Sequence, residues 1–301
     1  MKLPGSRTSS GRIAVLGTKE MTLRLTRSLV AARLRPAVVV TWDDSHDSRS
    51  RLTDLQALCV EEGLPIAVVR RSTSAYKAIL DASPSVVLVA GWYQLIPDDI
   101  LASVPHGFVG AHYSALPRYR GSAPVVWQLI NGEREIGYSL FRLSHGMDEG
   151  DLAAQGYVEA DEGYVGEVLD RLNDAAIAKL VQIAPALARG THAFSPQPAI
   201  RPSYASMRRP EDGRINWTRS ADAIVNAIRA QSRPYPGAWT ELSGETVTVW
   251  RAYVEESADY SGVPGQVVRI IDRKPVVACG TGGVVLEEWE GKQLGLTDRL
   301  T

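Results

Sequence analysis

Four short apolar runs separated by helical patterns fill the first ninety residues, and this alternation restricts the fold more than any other feature. Residues 13–17 are an apolar run ending in Gly17, followed at helical spacing by Met21, Leu25, Leu29 and Val30. Further apolar runs at 37–41, 66–69 and 85–90 alternate with amphipathic segments at 52–62, which stops at Gly63, and 74–82. Alternation of this kind predicts an α/β domain with a parallel sheet wound by helices on both faces. No Gly-x-Gly-x-x-Gly follows the first run, which disfavours a dinucleotide fold and a nicotinamide oxidoreductase.

The pattern continues with helices expected at 98–103 and 122–131, strands at 136–143 and 157–159, and a long amphipathic helix over 163–189 ending at Gly190. Between 191 and 209 the periodicity gives way to Pro196, Pro198 and Pro202, the signature of a linker. A helix at 220–230 then precedes five short runs, 239–242, 246–254, 265–271, 276–279 and 284–289, separated by glycine turns. Five such strands suggest a small OB-like β-barrel. The expected organisation is a leader at 1–12, a Rossmann-like domain at 13–190, a linker at 191–209 and an OB-like domain at 210–295.

Length and charge narrow the function classes. At 301 residues the chain fits two domains, and 45% apolar residues are enough for a sizeable core. A net charge of −1 gives no global attraction to nucleic acid or an anionic membrane. Glu241, Glu245, Glu255, Glu287 and Glu290 make the barrel region acidic, which opposes a single-strand nucleic-acid groove despite Trp239, Trp250 and Trp289. Cys59 and Cys279 lack metal-ligand spacing and read as reduced core residues of a cytoplasmic protein. No apolar run reaches the roughly 18 residues needed to cross a bilayer, and residues 1–12 lack the apolar core of a signal peptide.

The chemistry concentrates between Gly107 and Asp151. An apolar run, Phe108, Val109 and Ala111, delivers His112 into a loop whose course is set by Pro117 and Gly121. In open α/β sheets ligands bind at the carboxyl ends of strands, where this histidine falls. After the next expected strand comes Gly146-Met147-Asp148-Glu149-Gly150-Asp151, a carboxylate loop between glycines. Taken singly, such a histidine is usually a core or loop residue and such an aspartate a turn residue. Arg118 and Arg120 suit a phosphate or carboxylate on a substrate, or equally a solvated ion pair.

Together, His112-Tyr-Ser-Ala-Leu-Pro-Arg-Tyr-Arg-Gly121, Trp127-Gln-Leu-Ile-Asn131-Gly132-Glu133 and Gly146-Met-Asp-Glu-Gly-Asp151 resemble the 10-formyltetrahydrofolate-dependent formyltransferase family. The likeness extends to Arg233-Pro-Tyr-Pro-Gly-Ala-Trp239 in the C-terminal half. The resemblance implies 10-formyltetrahydrofolate as co-substrate, no metal, and acyl transfer through a tetrahedral intermediate. His112 would carry the amine's proton, and Asp148 would orient its ring and stabilise the imidazolium. Gln94, Leu95 and Ile96 would seat the pterin. Ser114, Leu116, Pro117, Ser144, His145, Gly146 and Met147 would complete the folate site, with Arg118, Tyr119 and Arg120 on the acceptor side.

One departure stands out. The family pattern is Asn-x-His-x-Ser-Leu-Leu-Pro, and here Gly110 occupies the asparagine position. Losing one oxyanion donor slows acyl transfer by about 100- to 1000-fold. Three readings follow: an active transferase in which a backbone N–H, a water or another side chain supplies the donor, a hydrolase of 10-formyltetrahydrofolate, or a folate-binding homologue without catalysis. As to the acceptor, methionyl-tRNA formyltransferases carry a basic, glycine-rich loop after the second strand. Here Trp42-Asp-Asp-Ser-His-Asp-Ser-Arg-Ser-Arg51 is short and starts acidic, which disfavours tRNA. A small amine is expected, an amino-sugar nucleotide first and a hydroxyornithine-like amine second. The Pro210-Glu-Asp-Gly213 segment resembles the formyltransferase domain acting on nucleotide-linked 4-amino-arabinose. The barrel could complete the acceptor pocket or mediate homodimerisation, and the residues do not choose.

Overall fold

A computed structural model describes residues 11–161 and 163–301. The expected leader, apart from Gly11 and Arg12, lies outside the described residues. The chain forms two compact units. The first comprises residues up to Arg120, 137–156 and 172–203; the second comprises 121–136, 157–171 and 204–301.

The first unit is built on five parallel strands. These are β1 (Ile13–Gly17), β2 (Val38–Trp42), β3 (Ile66–Val69), β4 (Val86–Ala90) and β5 (Phe108–His112), in the order β3-β2-β1-β4-β5. They are linked by α1 (Lys19–Ala31), α2 (Leu52–Glu61), α3 (Ser72–Ala82) and α4 (Asp98–Ser103). Ala14, Leu16, Val38, Val40, Val87, Val89 and Phe108 share one core cluster with α3 and α4. The alternate residues Val15, Val39, Leu88 and Val109 are fully buried too. Strands covered on both faces read as continuous apolar runs, and for that reason their sequence signal was strong.

The sheet is mostly parallel, as expected, and a later strand is added to it in the opposite direction. The chain leaves β5 through the two-residue β6 (Arg120–Gly121) and α5 (Pro124–Ile130). It returns as β7 (Glu135–Arg142), antiparallel to β5, with His112 opposite Ser139 and Val109 opposite Arg142. The connection starts and finishes at the same edge of the sheet, so β7 must run backwards. The outer strand β8 (Leu152–Glu159) begins five residues earlier than its local sequence predicts. Ala153, Ala154 and Gln155 carry little strand preference, and pairing with β7 decides their conformation.

After α6 (Val165–Ala188) and β9 (Tyr204–Ala205), the second unit contains α7 (Ala221–Gln231) and β10 (Ala238–Leu242). It continues with β11 (Glu245–Glu255), β12 (Val267–Ile271), β13 (Lys274–Ala278) and β14 (Gly283–Glu290). The antiparallel order is β10-β11-β14-β13-β12. Residues 297–301 hydrogen-bond to both edges of this sheet. Thr301 exchanges N–H···O bonds of 3.0 and 3.1 Å with Glu241, while Val267 bonds to Thr297 and Asp298 at 2.9 and 2.8 Å. Leu300, 1% exposed, seals the core with Trp217, Val267 and Leu242. Replacing Leu300 with Ala is expected to cost about 2–4 kcal/mol, the range for emptying a buried leucine site. Urea denaturation measures it, and a loss too small to detect would mean that the chain end does not close the sheet.

Candidate active site

His112 ends β5 and is 8% exposed. Its Nε2 lies 2.8 Å from the Tyr119 carbonyl oxygen, and its Nδ1 lies 3.6 Å from Oδ2 of Asp148. A carbonyl only accepts, so Nε2 carries a proton and donates it to Tyr119. Nδ1 is therefore the nitrogen that can exchange a proton, and it is the one facing the carboxylate. The Phe141 ring sits edge-on to the imidazole, with centroids 6.4 Å apart.

Both partners of the imidazole sit on unusual backbone. Tyr119 and Asp148 have φ values of +54° and +52°, in the left-handed region. Such residues cost of order 1–3 kcal/mol each and persist where their surroundings hold them. The Tyr119 N–H is held by Ser203 Oγ at 2.9 Å. The preceding loop is fixed from within. Ser114 Oγ donates to the Arg118 carbonyl, Ser139 Oγ to the Ser114 carbonyl, and Gln155 Nε2 to the Leu116 carbonyl. The Asp148 loop is drawn in because Gly150 packs directly on the Arg142 carbonyl, where an added Cβ would lie only 1.7 Å from the oxygen.

The other residues expected in the site divide into two groups. Gln94, Leu95, Ser144, His145 and Met147 are exposed around the loops after β4 and β7, Leu95 almost completely at 94%. The Leu95 carbonyl accepts from Tyr76 Oη at 2.6 Å, and His145 Nδ1 lies 2.8 Å from Asp98 Oδ2. Ile96 packs partly into the core beside α3 and α4, and Gly146 is half-buried against Glu149. Ser114, Leu116 and Pro117 are buried and support the His112 loop from below. Arg118 is exposed, with its guanidinium over the Tyr119 ring at 5.4 Å. Arg120 is turned inward, bonding Glu149 Oε1 at 3.0 Å and Gln197 Oε1 at 2.7 Å. Sequence reading missed Ser139, Gln155 and Gln197, whose polar tips serve this loop pair from distant positions.

On the same edge of the sheet, a cavity of about 290 Å³ is lined by Trp42, Trp92, Tyr93, Gln94, Lys19 and Arg49. Trp42 and Trp92 meet edge to face at 5.7 Å. The loop after β2 is clasped onto the β1–α1 turn. Asp44 accepts from Thr18, Lys19 and Ser50 at 2.6, 2.8 and 2.6 Å, and Asp47 accepts from Lys19 and Arg49. Burial opposes charge on Asp44, but these hydrogen bonds and the Lys19 ammonium hold its carboxyl below the usual range. Hydrogen bonds from Arg49, then Lys19, hold Asp47 lower still. Burial likewise works against the Lys19 ammonium, and its bonds to Asp44 and Asp47 outweigh that, raising it above its ordinary value.

Position 110 has apolar surroundings. A Cβ built on Gly110 would lie 2.7 Å from Leu143 Cδ1 and 3.8 Å from Phe141 Cε1. The nearest atom is the end of a flexible leucine side chain, and the neighbours of this position are apolar.

Two outcomes follow. Gly110→Asn is expected to destabilise by roughly 1–3 kcal/mol, because it sets a polar amide against the side chains of Leu143, Phe141 and Val89; equal melting temperatures for wild type and Gly110→Asn would contradict this. Asp44 and Asp47, with carboxyls depressed on folding, add stability that is full at neutral pH and is lost as pH falls below about 4, their unfolded value. Lys19→Ala should therefore flatten the acid limb of the stability–pH curve; an unchanged limb would contradict the clasp.

Comparisons with known proteins give the family. Residues 12–183 match the formyl transferase model and 208–296 match the formyl transferase C-terminal domain model. A methionyl-tRNA formyltransferase of Citrifermentans bemidjiense is 32% identical over 291 residues, covering 94% of this chain and 90% of that protein. One from Pelotomaculum thermopropionicum is 34% identical over 283 residues, covering 92% and 90%. Among solved structures, an N-formyltransferase from Helicobacter canadensis, in complex with folinic acid and dTDP-3-aminofucose, superposes with a TM-score of 0.69 at 14% identity. It covers 92% of this chain and 98% of that one. A shared fold, both family domains and relatives matched over nearly their whole length lead to one assignment: the chain belongs to the formyl transferase family.

Proposed function

We propose that the chain transfers the formyl group of 10-formyltetrahydrofolate to the amine of a small molecule, with His112 and Asp148 as the catalytic pair. The observation that carries this reading is His112 fixed by its Nε2–H on the Tyr119 carbonyl, with Nδ1 turned to the Asp148 carboxylate. The amine nitrogen attacks the formyl carbon and a C–N bond forms. The tetrahedral intermediate collapses with cleavage of the bond from carbon to folate N10, and the proton lost by the amine returns to N10. His112 carries that proton on Nδ1, and Asp148 stabilises the ring while it is charged. Exposed Gln94, Leu95 and Met147 form an amide-bearing, apolar rim suited to the flat pterin. With Leu143 against position 110, the donor to the formyl oxygen comes from backbone N–H, water or the His112 cation rather than from an asparagine.

Loop electrostatics support a small acceptor. The carboxylates of the loop after β2 are paired with Lys19, Arg49 and Arg70, so this loop offers little net positive charge to a phosphate backbone. An amino-sugar nucleotide is the first choice and a hydroxyornithine-like amine the second. The relatives favour another reading, formylation of methionyl-tRNA, since both carry that name over most of this chain.

Release of tetrahydrofolate is the assay, run without acceptor and then with nucleotide amino sugars, hydroxyornithine and methionyl-tRNA singly. Turnover with one small amine is expected, and removing the proton carrier in His112→Ala should lower it by about 100- to 10,000-fold. Turnover with methionyl-tRNA alone would replace the small-amine reading. Turnover without any amine would make the protein a hydrolase, and folate binding without turnover would end the catalytic reading.

A further inference from the structure

We propose that Gln197, bridged to Arg120, is a positioning residue that sets the distance between Asp148 and His112. The inference rests on the reading of Asp148 as the partner of His112. Gln197 Nε2 donates to the carbonyls of Asp148 and Gly150, at 2.7 and 3.0 Å, using both of its amide hydrogens on one loop. Its Oε1 accepts from Arg120 at 2.7 Å, and the same guanidinium reaches Glu149 Oε1 at 3.0 Å. Two of these partners are carbonyls that only accept and the third is a cation that only donates. One orientation of the amide satisfies all three, and the flipped amide satisfies none.

The segment that carries Gln197 is itself anchored. Ser195 and Leu152 exchange backbone hydrogen bonds of 3.0 and 2.7 Å, tying it to the start of β8. Arg120 is anchored in turn, since its N–H donates to the Ser203 carbonyl at 2.9 Å. The side chain of Gln197 therefore joins two fixed points to a loop whose central residue, Asp148, holds a left-handed φ of +52°. At 3.6 Å the Asp148–His112 separation is just beyond hydrogen-bond reach, so a small movement of the loop makes or breaks that interaction. Arg120, suited by its sequence to a substrate anion, is committed to this brace, with its side chain only 11% exposed.

Steady-state kinetics on the full chain test the proposal, using 10-formyltetrahydrofolate and whichever acceptor supports turnover. Gln197→Ala is expected to lower kcat by about 10- to 100-fold, the scale of a 1 Å misplacement at a reacting centre, while KM for the folate changes by less than about twofold. Gln197→Glu keeps the size and the acceptor for Arg120 but sets an oxygen against two carbonyls, and should lose as much. If Gln197→Ala does not fold, this isosteric variant carries the test. Because Gln197 acts through Asp148, adding Gln197→Ala to Asp148→Asn should cost less than about threefold more, whereas independent sites would multiply. Wild-type kcat in both Gln197 variants, or fully multiplied losses in the double variant, would overturn the proposal. A fully active Asp148→Asn would instead remove the catalytic reading on which it rests, so the two failures are distinguishable.

Discussion

Everything at the candidate site depends on one hydrogen bond, from His112 Nε2 to the carbonyl of Tyr119. In the proposed reading it takes up the Nε2–H and leaves Nδ1 as the nitrogen that moves a proton. It also explains why a bulky residue, Tyr119, occupies left-handed backbone: in that conformation the carbonyl is turned under the imidazole. Ser114, Ser139 and Gln155 hold the rest of the loop, and Ser203 holds the Tyr119 N–H. A histidine at the end of a rigid parallel strand, with its second bond fixed, requires little reorganisation when it accepts a proton.

The opposite wall is built differently. Asp148 lies on the β7–β8 turn, where Gly150 approaches the Arg142 carbonyl, and polar groups from Gln197 and Arg120 brace the loop. One side of the proposed catalytic pair is therefore set by sheet and buried core and the other by a hydrogen-bonded brace.

The parts of this arrangement that were legible in the sequence share a physical origin. Strands buried on both faces leave unbroken valine-rich runs, so β1, β2, β4 and β5 were readable almost to the residue. His112 and Asp148 each read singly as ordinary loop residues, and the resemblance of their joined motifs to the formyltransferase family singled them out. The antiparallel return of β7 was not legible, because direction depends on where a connection ends rather than on local pattern. Nor was the early start of β8, where pairing overrides weak propensity. Gln197 was hidden for another reason: it lies in a proline-broken stretch that reads as linker, and its bonds reach residues about fifty positions away. An uncharged amide gives no signal until the fold brings its partners together. Leu300 was hidden likewise, since a short chain end with one leucine carries no periodicity to read.

The most direct test of the account is nitrogen-15 NMR of the His112 ring in histidine-labelled protein, assigned by its loss in His112→Ala. The account predicts that Nε2 stays protonated throughout a pH titration while Nδ1 gains and loses the proton, and that Asp148→Asn disturbs the Nδ1 signal most. A neutral ring carrying its proton on Nδ1, with Nε2 titrating, would contradict the account: the Tyr119 bond would not control the tautomer, and proton transfer would have to be assigned to the other nitrogen.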